Sequence, residues 1–283
     1  MMKLNQQTAG IFVPDGHPLE SALLRTTHLG VGAHQDDLEF MALHGILAGF
    51  QRQDRWFGGV TVTDGGGSAR GGAYSTFTDA QMRQVRHREQ DTAAVIGQYS
   101  FMAQLDYPSV VVKTPPAAAV EADLRSILAA TRPEVVYTHN PADKHDTHVA
   151  VMAALLRAIR SLPAAERPAR VLGCEVWRDL DWLPDAEKVV LDVGGRENLA
   201  FALNGVFDSQ IAGGKRYDLA VMGRRRANAV FFESHATDAM EQAWYALDLT
   251  PMVQDDAPPV ETFIQVLLER FRDDVISRLI RFC

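Results

Sequence analysis

The 283-residue sequence predicts an α/β fold: a Rossmann-like, mostly parallel sheet with helices on both faces, followed by a C-terminal amphipathic helix. Three observations support this prediction. Short apolar runs alternate with segments of helical periodicity along most of the chain. Polar or glycine-rich loops follow several of the apolar runs, as loops follow the strands of open parallel sheets. The Pro258-Pro259 step separates the last amphipathic stretch, 260–282, from the rest.

Six short apolar runs predict the strands, because each is bounded by turn or loop residues and has the length of a buried strand. In chain order, the predicted strands are 27–33, 58–63, 101–105, 134–138, 172–177 and 188–192. The second run leads directly into a glycine-rich loop, 64–72. Because helical segments separate these runs, we expect crossover connections and therefore parallel neighbours.

Helical periodicity predicts the elements between the strands. The predicted helices are 18–25, 37–50, 78–96, 120–130, 147–160, 197–203, 218–229, 238–247 and 260–282. Helix 78–96 has the clearest boundaries: Thr78 and Gln81 have the spacing of a capping box, and Gly97 favours a stop.

We expect a single domain, 1–283, with a polar lead-in at 1–26 and a helical appendage at 258–283. Apolar residues make up 47% of the chain and charged residues 23%, which is typical of a globular protein with a sizeable core. The appendage either packs on the domain's own core or forms an oligomer contact, so a homo-oligomer is one possibility.

The net charge of −8 disfavours a general role in binding nucleic acid or anionic membranes. Arg224 to Arg226 form a local basic run, which is more typical of a helix face or a solvated segment. Two cysteines, Cys174 and Cys283, are too few for a disulfide framework. With no apolar segment of secretory or membrane-spanning type, we expect a cytoplasmic protein.

Two polar segments, each just past a predicted strand, carry metal-binding residue types. Residues 33–39 read AHQDDLE, and residues 143–148 read DKHDTH. Ligands of open α/β sheets bind at the carboxyl ends of the strands, where these segments should meet. Histidine and aspartate are common zinc ligands, and three protein ligands with one open position are typical of a catalytic site.

The first segment places His34 just before the adjacent carboxylates of Asp36 and Asp37. Because like charges repel, two neighbouring carboxylates favour a nearby cation. The alternative is that one of them caps the following helix. Neighbouring side chains in extended chain point in opposite directions, so we expect one carboxylate to hold the metal and the other to face the substrate water.

The second segment places His145 and His148 three residues apart, on one side of a helix or tight turn. The alternative is a polar helix start, with Asp143 or Asp146 near the positive end of the helix dipole. Each segment is only moderately specific for a metal site. Together, in the repeated order of strand, polar loop and helix, they predict a metal-dependent hydrolase.

The two segments resemble the motifs of the LmbE-like, or PIG-L, zinc deacetylases, which remove acetyl groups from N-acetylglucosamine in glycolipids and related molecules. The family's Ala-His-Pro-Asp-Asp corresponds to AHQDD at 33–37, and its Asp-Arg-His-Pro-Asp-His corresponds to DKHDTH at 143–148. Weaker similarities lie at 63–65, 86–89 and 208–210, so the resemblance spans roughly residues 27–235.

This resemblance implies a hydrolase that uses Zn2+, or another divalent metal, to deacetylate a small-molecule N-acetyl sugar or glycoside. By position, the metal ligands would be His34, Asp37 and His148. Asp36 would be the general base, and His145 would stabilise the tetrahedral intermediate or protonate the leaving amine.

The sequence departs from the family pattern at two positions. Gln35 replaces the usual proline, which should cost only loop rigidity. Thr147 replaces an aspartate that, in the family, can orient the catalytic histidine. Asp143 or Asp146 would have to orient His145 instead.

Asp64, Arg70 and Arg86 are candidate substrate-binding residues, since sugar hydroxyls require polar and charged partners. For Arg86, an exposed ion pair with Glu89 one helical turn away is an alternative. His139 either supports the metal site or makes a loop hydrogen bond. The glycine-rich loop lacks the Lys-Ser/Thr pair of a phosphate-binding P-loop, so we expect a rim loop near the pocket.

Two other functions remain possible on the sequence alone. One is a zinc amidohydrolase that acts on a non-sugar amide. The other is a metal-binding Rossmann-type module whose catalytic activity has decayed, and the Thr147 departure is its only support. The presence of Asp36 argues against such a module, because a binding protein does not need a base.

Overall fold

The computed structural model describes residues 2–283, which form one eight-stranded sheet with helices around it; Met1, in the predicted lead-in, lies outside the described residues. The strands are β1 (Gly10–Phe12), β2 (His28–Gly32), β3 (Phe57–Thr63), β4 (Met102–Tyr107), β5 (Val135–His139), β6 (Arg170–Cys174), β7 (Lys188–Asp192) and β8 (Ala243–Asp248). The helices are α1 (Leu19–Leu24), α2 (Asp37–Met41), α3 (Leu43–Gly49), α4 (Asp79–Ile96), α5 (Ser109–Val112), α6 (Ala118–Thr131), α7 (Asp146–Arg160), α8 (Glu197–Gly205), α9 (Asp208–Ile211), α10 (Tyr217–Phe231) and α11 (Val260–Phe282).

The sheet has the strand order β1-β4-β3-β2-β5-β6-β8-β7. Its five central strands, β4-β3-β2-β5-β6, are parallel, and the remaining pairs toward the two edges are antiparallel. The chain builds outward from β2 through β3 and β4, then returns to form β5 on the other side of β2. The predicted α/β fold with a mostly parallel sheet is therefore confirmed, while the finer Rossmann-like description stays a prediction.

Two hydrophobic cores lie on opposite faces of the sheet. Successive strand residues alternate between them: Val136 and Val171 belong to one core, and Tyr137 and Leu172 to the other. The first core includes residues of α6 and α7, and the second includes residues of α2, α3, α8 and α10. Burial on both faces explains why the strands read as continuous apolar runs in the sequence.

The α4 boundaries agree with the predicted helix signals. The Thr78 hydroxyl accepts a hydrogen bond from the Gln81 backbone N–H, the Gln81 side chain accepts one from the Thr78 N–H, and the helix ends before Gly97. The predicted helix 37–50 is instead two helices, α2 and α3, which break at Ala42. Because of this break, α2 is only five residues long and directly continues the polar loop before it.

The prediction of a helix over 238–247 is wrong, because Ala243–Asp248 forms β8. β8 pairs antiparallel with both β6 and β7. Its side chains from Ala243 to Leu247 are all buried, with Trp244 on one core and Tyr245 on the other. This two-sided burial is a strand environment that depends on neighbours distant in sequence, so local periodicity did not reveal it.

The C-terminal helix α11 has the predicted bounds, and it contacts the core mainly near its start. Leu267 is its one buried residue, and Phe263 and Ile264 are partly buried against the first core. The apolar side chains beyond Leu267, from Leu268 to Phe282, are exposed. Among residues 2–283, no helix combines the length and the apolar character needed to cross a membrane.

Glycines in β2 bring α2 close to the sheet. A Cβ on Gly30 would lie 2.9 Å from the Leu38 side chain, and one on Gly32 would lie 3.0 Å from the Asp37 Cβ. Larger residues at these positions would push α2 outward. The glycines therefore fix the distance between the first turn of α2 and the end of β2.

His28, at the start of β2, makes the fold sensitive to acid. The side chain is buried, and burial lowers its pKa from 6.5 to about 4, with the positive charges of His44 and Arg55 adding to the effect. The unfolded chain binds this proton at a higher pH than the folded protein does. Protonation of His28 therefore has no effect on the free energy of unfolding above pH 6.5, and it lowers that free energy as the pH falls toward 4.

We expect wild-type protein to lose about 1–3 kcal/mol more unfolding free energy between pH 7 and pH 4 than a His28→Gln variant loses. Urea unfolding of both proteins in EDTA at several pH values measures this difference without interference from metal release. Parallel pH profiles for the two proteins would contradict the assignment.

Candidate metal centre and active site

The two polar segments meet because β2 and β5 are neighbours in the sheet. β2 ends at Gly32 and β5 ends at His139, so the loops that follow leave the same edge side by side. β3 and β4 lie on the β2 side of this pair, and β6 lies on the β5 side. Such a switch point opens a crevice outside the carboxyl ends of the strands, where open α/β proteins bind ligands.

The three predicted metal ligands lie next to one another and are in contact through both oxygens of Asp37. Asp37 Oδ2 is 3.3 Å from His34 Nδ1, and Asp37 Oδ1 is 3.4 Å from His148 Nε2. The two imidazole nitrogens are 3.2 Å apart. Ligand atoms about 2.0–2.1 Å from a tetrahedral zinc ion lie roughly 3.3 Å from one another. The donor atoms present therefore fit a divalent metal, and their assignment as ligands stays a prediction.

His139 supports this cluster. Its Nε2 accepts a hydrogen bond from the Ala33 backbone N–H at 2.9 Å, and its ring stacks on His148 with centroids 3.8 Å apart. Two groups of three donor atoms are close enough to hold an ion: His34, His145 and His148, and Asp37, His139 and His148. Because the lone pair of Nε2 is used by Ala33, we assign His139 a positioning role. His139 thus both supports the cluster and makes a loop hydrogen bond, which are the two alternatives predicted from the sequence.

Asp143 orients His148. Asp143 Oδ2 accepts a hydrogen bond from His148 Nδ1 at 3.2 Å, which turns His148 Nε2 toward Asp37. The same carboxylate accepts the backbone N–H groups of His145 and Trp177, at 3.0 and 3.2 Å. Burial lowers the pKa of His148 to about 4, so the ring is neutral at pH 7, the form that binds a metal.

Neither Asp143 nor Asp146 contacts the His145 ring among the described residues, so the expectation that one of them orients this ring is wrong. The ring is held by packing: it stacks on His148 with centroids 4.5 Å apart and meets His34 edge-on at 4.9 Å. Thr147, at the position of the family's aspartate, lines the cavity beside it. Packing takes the place of the missing carboxylate.

Gln35 fixes the first loop in a way that proline does not. Its side-chain amide donates to the Thr63 carbonyl at 3.1 Å and to Gln104 Oε1 at 3.3 Å, and the residue is fully buried. These bonds attach the loop to the end of β3 and to β4. The loss of proline is therefore offset by specific hydrogen bonds, and the expected loss of rigidity is not what the contacts indicate.

Asp36 has a left-handed backbone conformation with φ of 96°, uncommon for a residue other than glycine. Its N–H donates to Gln90 Oε1 at 3.1 Å, and its Oδ2 accepts from Arg86 Nη2 at 2.8 Å. The side chains of Asp36 and Asp37 diverge as expected. The cause is the turn of the backbone at Asp36, and not the extended chain that was predicted. Burial raises the pKa of Asp36 to about 6, against the opposing effect of the Arg86 guanidinium.

Arg86 is buried, with 1% of its surface exposed, so the alternative of an exposed helix ion pair is wrong. Its guanidinium binds Asp36, the Gln35 carbonyl oxygen and Glu89 Oε2, the last at 2.9 Å. Glu89 in turn accepts the backbone N–H and hydroxyl of Ser209 at 2.7 and 2.8 Å. Arg86 therefore holds the Asp36 loop, and its role as a substrate contact stays a prediction.

A cavity of about 510 Å³ opens beside the cluster. Asp64 lines it and pairs with Arg83 Nε at 2.9 Å, and the glycine-rich loop forms part of its rim, as predicted. Arg70 is not among the lining residues. It donates to the carbonyl oxygens of Gly66 and Phe77 and pairs with Asp79, so its contacts hold the loop.

The opposite wall contains residues that the sequence reasoning missed. Tyr217, Ala220, Val221 and Arg224 line the cavity from one face of α10, and their helical spacing was the signal that could have revealed them. The cavity is also lined by Lys113, Val176, Trp177, Lys215 and Trp244.

The basic run at Arg224 to Arg226 is not a patch, because its three side chains go to three different places. Arg224 lines the cavity and donates to the Val176 carbonyl. Arg225 is fully buried and donates to the Glu39 carbonyl at 2.7 Å. Arg226 pairs with Glu197 at the surface.

Residues 29–159 match the protein family described as PIG-L, GlcNAc-PI de-N-acetylase. Over these residues the chain is similar to the PIG-L family. This match covers both polar segments, the Arg86 helix, strands β3, β4 and β5 and most of β2, whereas β6 lies outside it. The resemblance stated from the sequence motifs is thereby confirmed, and the family is one of de-N-acetylases.

Solved structures share the fold. N,N'-diacetylchitobiose deacetylase from Pyrococcus horikoshii superposes with a TM-score of 0.61 and 15% identity, over 79% of this chain and 83% of that one. GalB, the 4-carboxy-2-hydroxymuconate hydratase from Pseudomonas putida, gives 0.60 and 19%, over 83% and 100%. A conserved protein from Thermus thermophilus gives 0.59 and 19%, over 78% and 93%. No curated protein matches the chain.

We expect Asp143→Asn to weaken metal binding by about 10- to 100-fold, because the amide loses the charge that orients His148. Competition with a chelator of known affinity measures the change. Asp146→Asn is the matched control: Asp146 is exposed at the start of α7, and its removal should leave the affinity within about threefold. Equal affinities for the two variants would show that Asp143 does not support a metal ligand.

Proposed function

We propose that this protein is a metal-dependent hydrolase that removes the acetyl group from an N-acetylated amino sugar. The observation that carries the proposal is the contact among His34, Asp37 and His148, at 3.2–3.4 Å through both oxygens of Asp37, beside a cavity that His34, Asp36 and Asp37 line. The PIG-L match over 29–159 supports the reaction type and the class of substrate.

Two imidazoles and a carboxylate suit zinc, and they accept other divalent ions as well. We propose zinc, held by His34, Asp37 and His148. When bound, the ion would supply Lewis acidity, lowering the pKa of water and polarising the amide oxygen. His148 is prepared for this role, since Asp143 fixes its ring and burial keeps it neutral.

Asp36 is placed to accept the proton of the attacking water. Arg86 contacts only its Oδ2, which leaves Oδ1 free to face the cavity that Asp36 lines. The Arg86 guanidinium fixes the carboxylate, and the Gln90 side chain fixes the backbone N–H of the same residue. A base held in this way does not have to be reoriented during the reaction, which lowers the barrier to proton transfer.

His145 lines the same cavity and is half-buried between His34 and Trp177. From this position it would donate a hydrogen bond to the amide oxygen as negative charge develops, or a proton to the leaving amine. An amine leaves poorly unless it is protonated, so the reaction needs such a donor. Its Nδ1 has no partner among the described residues, so no carboxylate restricts the ring to one of these two roles.

We expect Asp36→Asn to lower kcat/KM for deacetylation by about 10²- to 10³-fold while metal affinity stays unchanged. The assay measures acetate released from a panel of N-acetylglucosamine derivatives by zinc-loaded protein, with and without EDTA. Asp54→Asn, which replaces an exposed aspartate outside the cavity, is the control and should keep full activity. Full turnover by the metal-bound Asp36 variant would remove Asp36 from the mechanism.

The same assay, with simple acetamides added to the panel, separates the other two functions. Hydrolysis of simple acetamides, with none of the sugars, would favour an amidohydrolase of non-sugar substrates. Tight metal binding without hydrolysis of any amide would favour a binding module. The intact base and its buried support by Arg86 and Glu89 favour the deacetylase.

A further inference from the structure

The second half of α11 carries an uncovered row of apolar side chains. Phe263, Ile264 and Leu267 of the first half contact the first core. The row that begins with Ile264 continues beyond this contact at helical spacing, through Leu268, Phe271, Val275, Leu279 and Phe282. These five side chains, which we call the α11 stripe, have exposed fractions between 37% and 78%. A continuous apolar row of this length on a surface helix indicates an interaction site.

The spacing of the α11 stripe is symmetric about Val275. The intervals between its successive residues are three, four, four and three. A second copy of the helix running antiparallel therefore brings Leu268 opposite Phe282. It also brings Phe271 opposite Leu279, and Val275 opposite its own counterpart. A two-fold interface requires a surface that is complementary to itself, and the stripe meets this requirement.

Charges beside the stripe favour the same arrangement. Asp274 and Arg278 lie along one edge of it, and Arg278 Nε is 3.1 Å from Asp274 Oδ2 within the helix. In an antiparallel pair of helices, Asp274 of each copy meets Arg278 of the other. In a parallel pair each charge would meet a like charge, which is unfavourable. The charge pattern is therefore complementary to a second copy in the antiparallel orientation.

The body of the protein leaves this half of the helix uncovered. Arg270 pairs with Glu187, and beyond Arg270 the side-chain hydrogen bonds of α11 among residues 2–283 stay within the helix. The segment 268–282 has four basic and three acidic side chains, so it lacks the basic excess of helices that bind anionic membranes. The balanced charge favours a protein surface as the occupant of the stripe, and the self-complementary pattern favours a second copy of this chain.

We propose that the α11 stripe is the interface of a homodimer, in which two copies of the chain pair their C-terminal helices antiparallel about Val275. The residues that line the 510 Å³ cavity do not include any residue of α11, so the pairing leaves the cavity open. The inference goes beyond the proposed function and does not depend on it.

The first test is sedimentation of the full-length protein at concentrations from about 1 to 200 µM. We expect the mass to rise with concentration from that of one chain to that of two. Val275→Glu should raise the dissociation constant of the dimer at least about 20-fold, because it places two carboxylates at the two-fold axis and removes apolar contact there.

Ile280→Glu is the matched control. Ile280 is also apolar, is 78% exposed and lies on the same helix but outside the stripe. The same change of charge and hydrophobicity at this position should leave the dissociation constant within about twofold. Unchanged circular dichroism of both variants shows that α11 stays helical.

The second test exchanges the charges at the edge of the stripe. Asp274→Arg alone, or Arg278→Asp alone, puts like charges opposite each other and should weaken the homodimer about five- to tenfold. An equimolar mixture of the two variants restores opposite charges between the chains but not within either helix. The mixture should therefore associate within about threefold of wild type, which a purely intrahelical role of the pair would not produce.

The third test is the orientation of the two helices, measured by disulfide formation in a Cys283→Ser background. Val275→Cys should form a covalent dimer on mild oxidation, because the two copies of this residue meet at the axis. Leu268→Cys should not, since its counterpart lies about 21 Å away along an antiparallel pair. Covalent dimers from both variants would indicate parallel helices.

A mass of one chain over the whole concentration range would overturn the inference. It would also be overturned if Val275→Glu and Ile280→Glu weakened the association equally, which would indicate non-specific apolar contact. The same holds for a single-chain protein whose α11 stripe binds neutral or anionic phospholipid vesicles, because the occupant would then be a membrane surface.

Discussion

The crowding of ionisable side chains between the ends of β2 and β5 is the constraint on which the surrounding structure depends. His34, Asp37, His139, His145 and His148 converge there, and Asp37, His139 and His148 are buried. Burial of so many ionisable groups is unfavourable unless hydrogen bonds or a cation compensate. The position follows from the topology, because the sheet changes its direction of growth between these two strands and leaves a crevice at their carboxyl ends.

Two sets of hydrogen bonds hold this cluster in place, and each reaches into a different part of the fold. Asp143 joins His148 to the backbone at Trp177, so the loop after β5 and the loop after β6 are fixed together. Arg86 and Glu89 join the Asp36 loop to Ser209 at the start of α9. A buried ion network of this kind contributes little net stability, but removing one member leaves an unpaired charge. Its consequence is positional: Asp36 and His148, the proposed base and one proposed metal ligand, are each held to a neighbouring part of the fold.

The sequence predicted those parts of the site that lie in short, contiguous motifs. His34, Asp37 and His148 meet as expected because each follows a strand whose neighbour could be inferred from the alternation of elements. The partner of a side chain could not be predicted in the same way: Asp143 or Asp146 was expected to orient the His145 ring, but the ring that Asp143 binds is that of His148. β8 was missed for a related reason, since its two-sided burial depends on strands and helices from across the chain.

The wall contributed by α10 shows how the missed part of the site is coupled to the predicted part. Arg225 lies between the cavity-facing turns of α10 and the helix α2 that begins with Asp37, and its guanidinium donates to the Glu39 and Phe40 carbonyls. No carboxylate neutralises it among the described residues, and burial lowers its pKa. A guanidinium is buried at this cost only if its hydrogen bonds are made, so α10 and α2 are held at a fixed separation. The distance between the cavity-lining side of α10 and Asp37 at the start of α2 is therefore set by the core, so this part of the cavity is preformed.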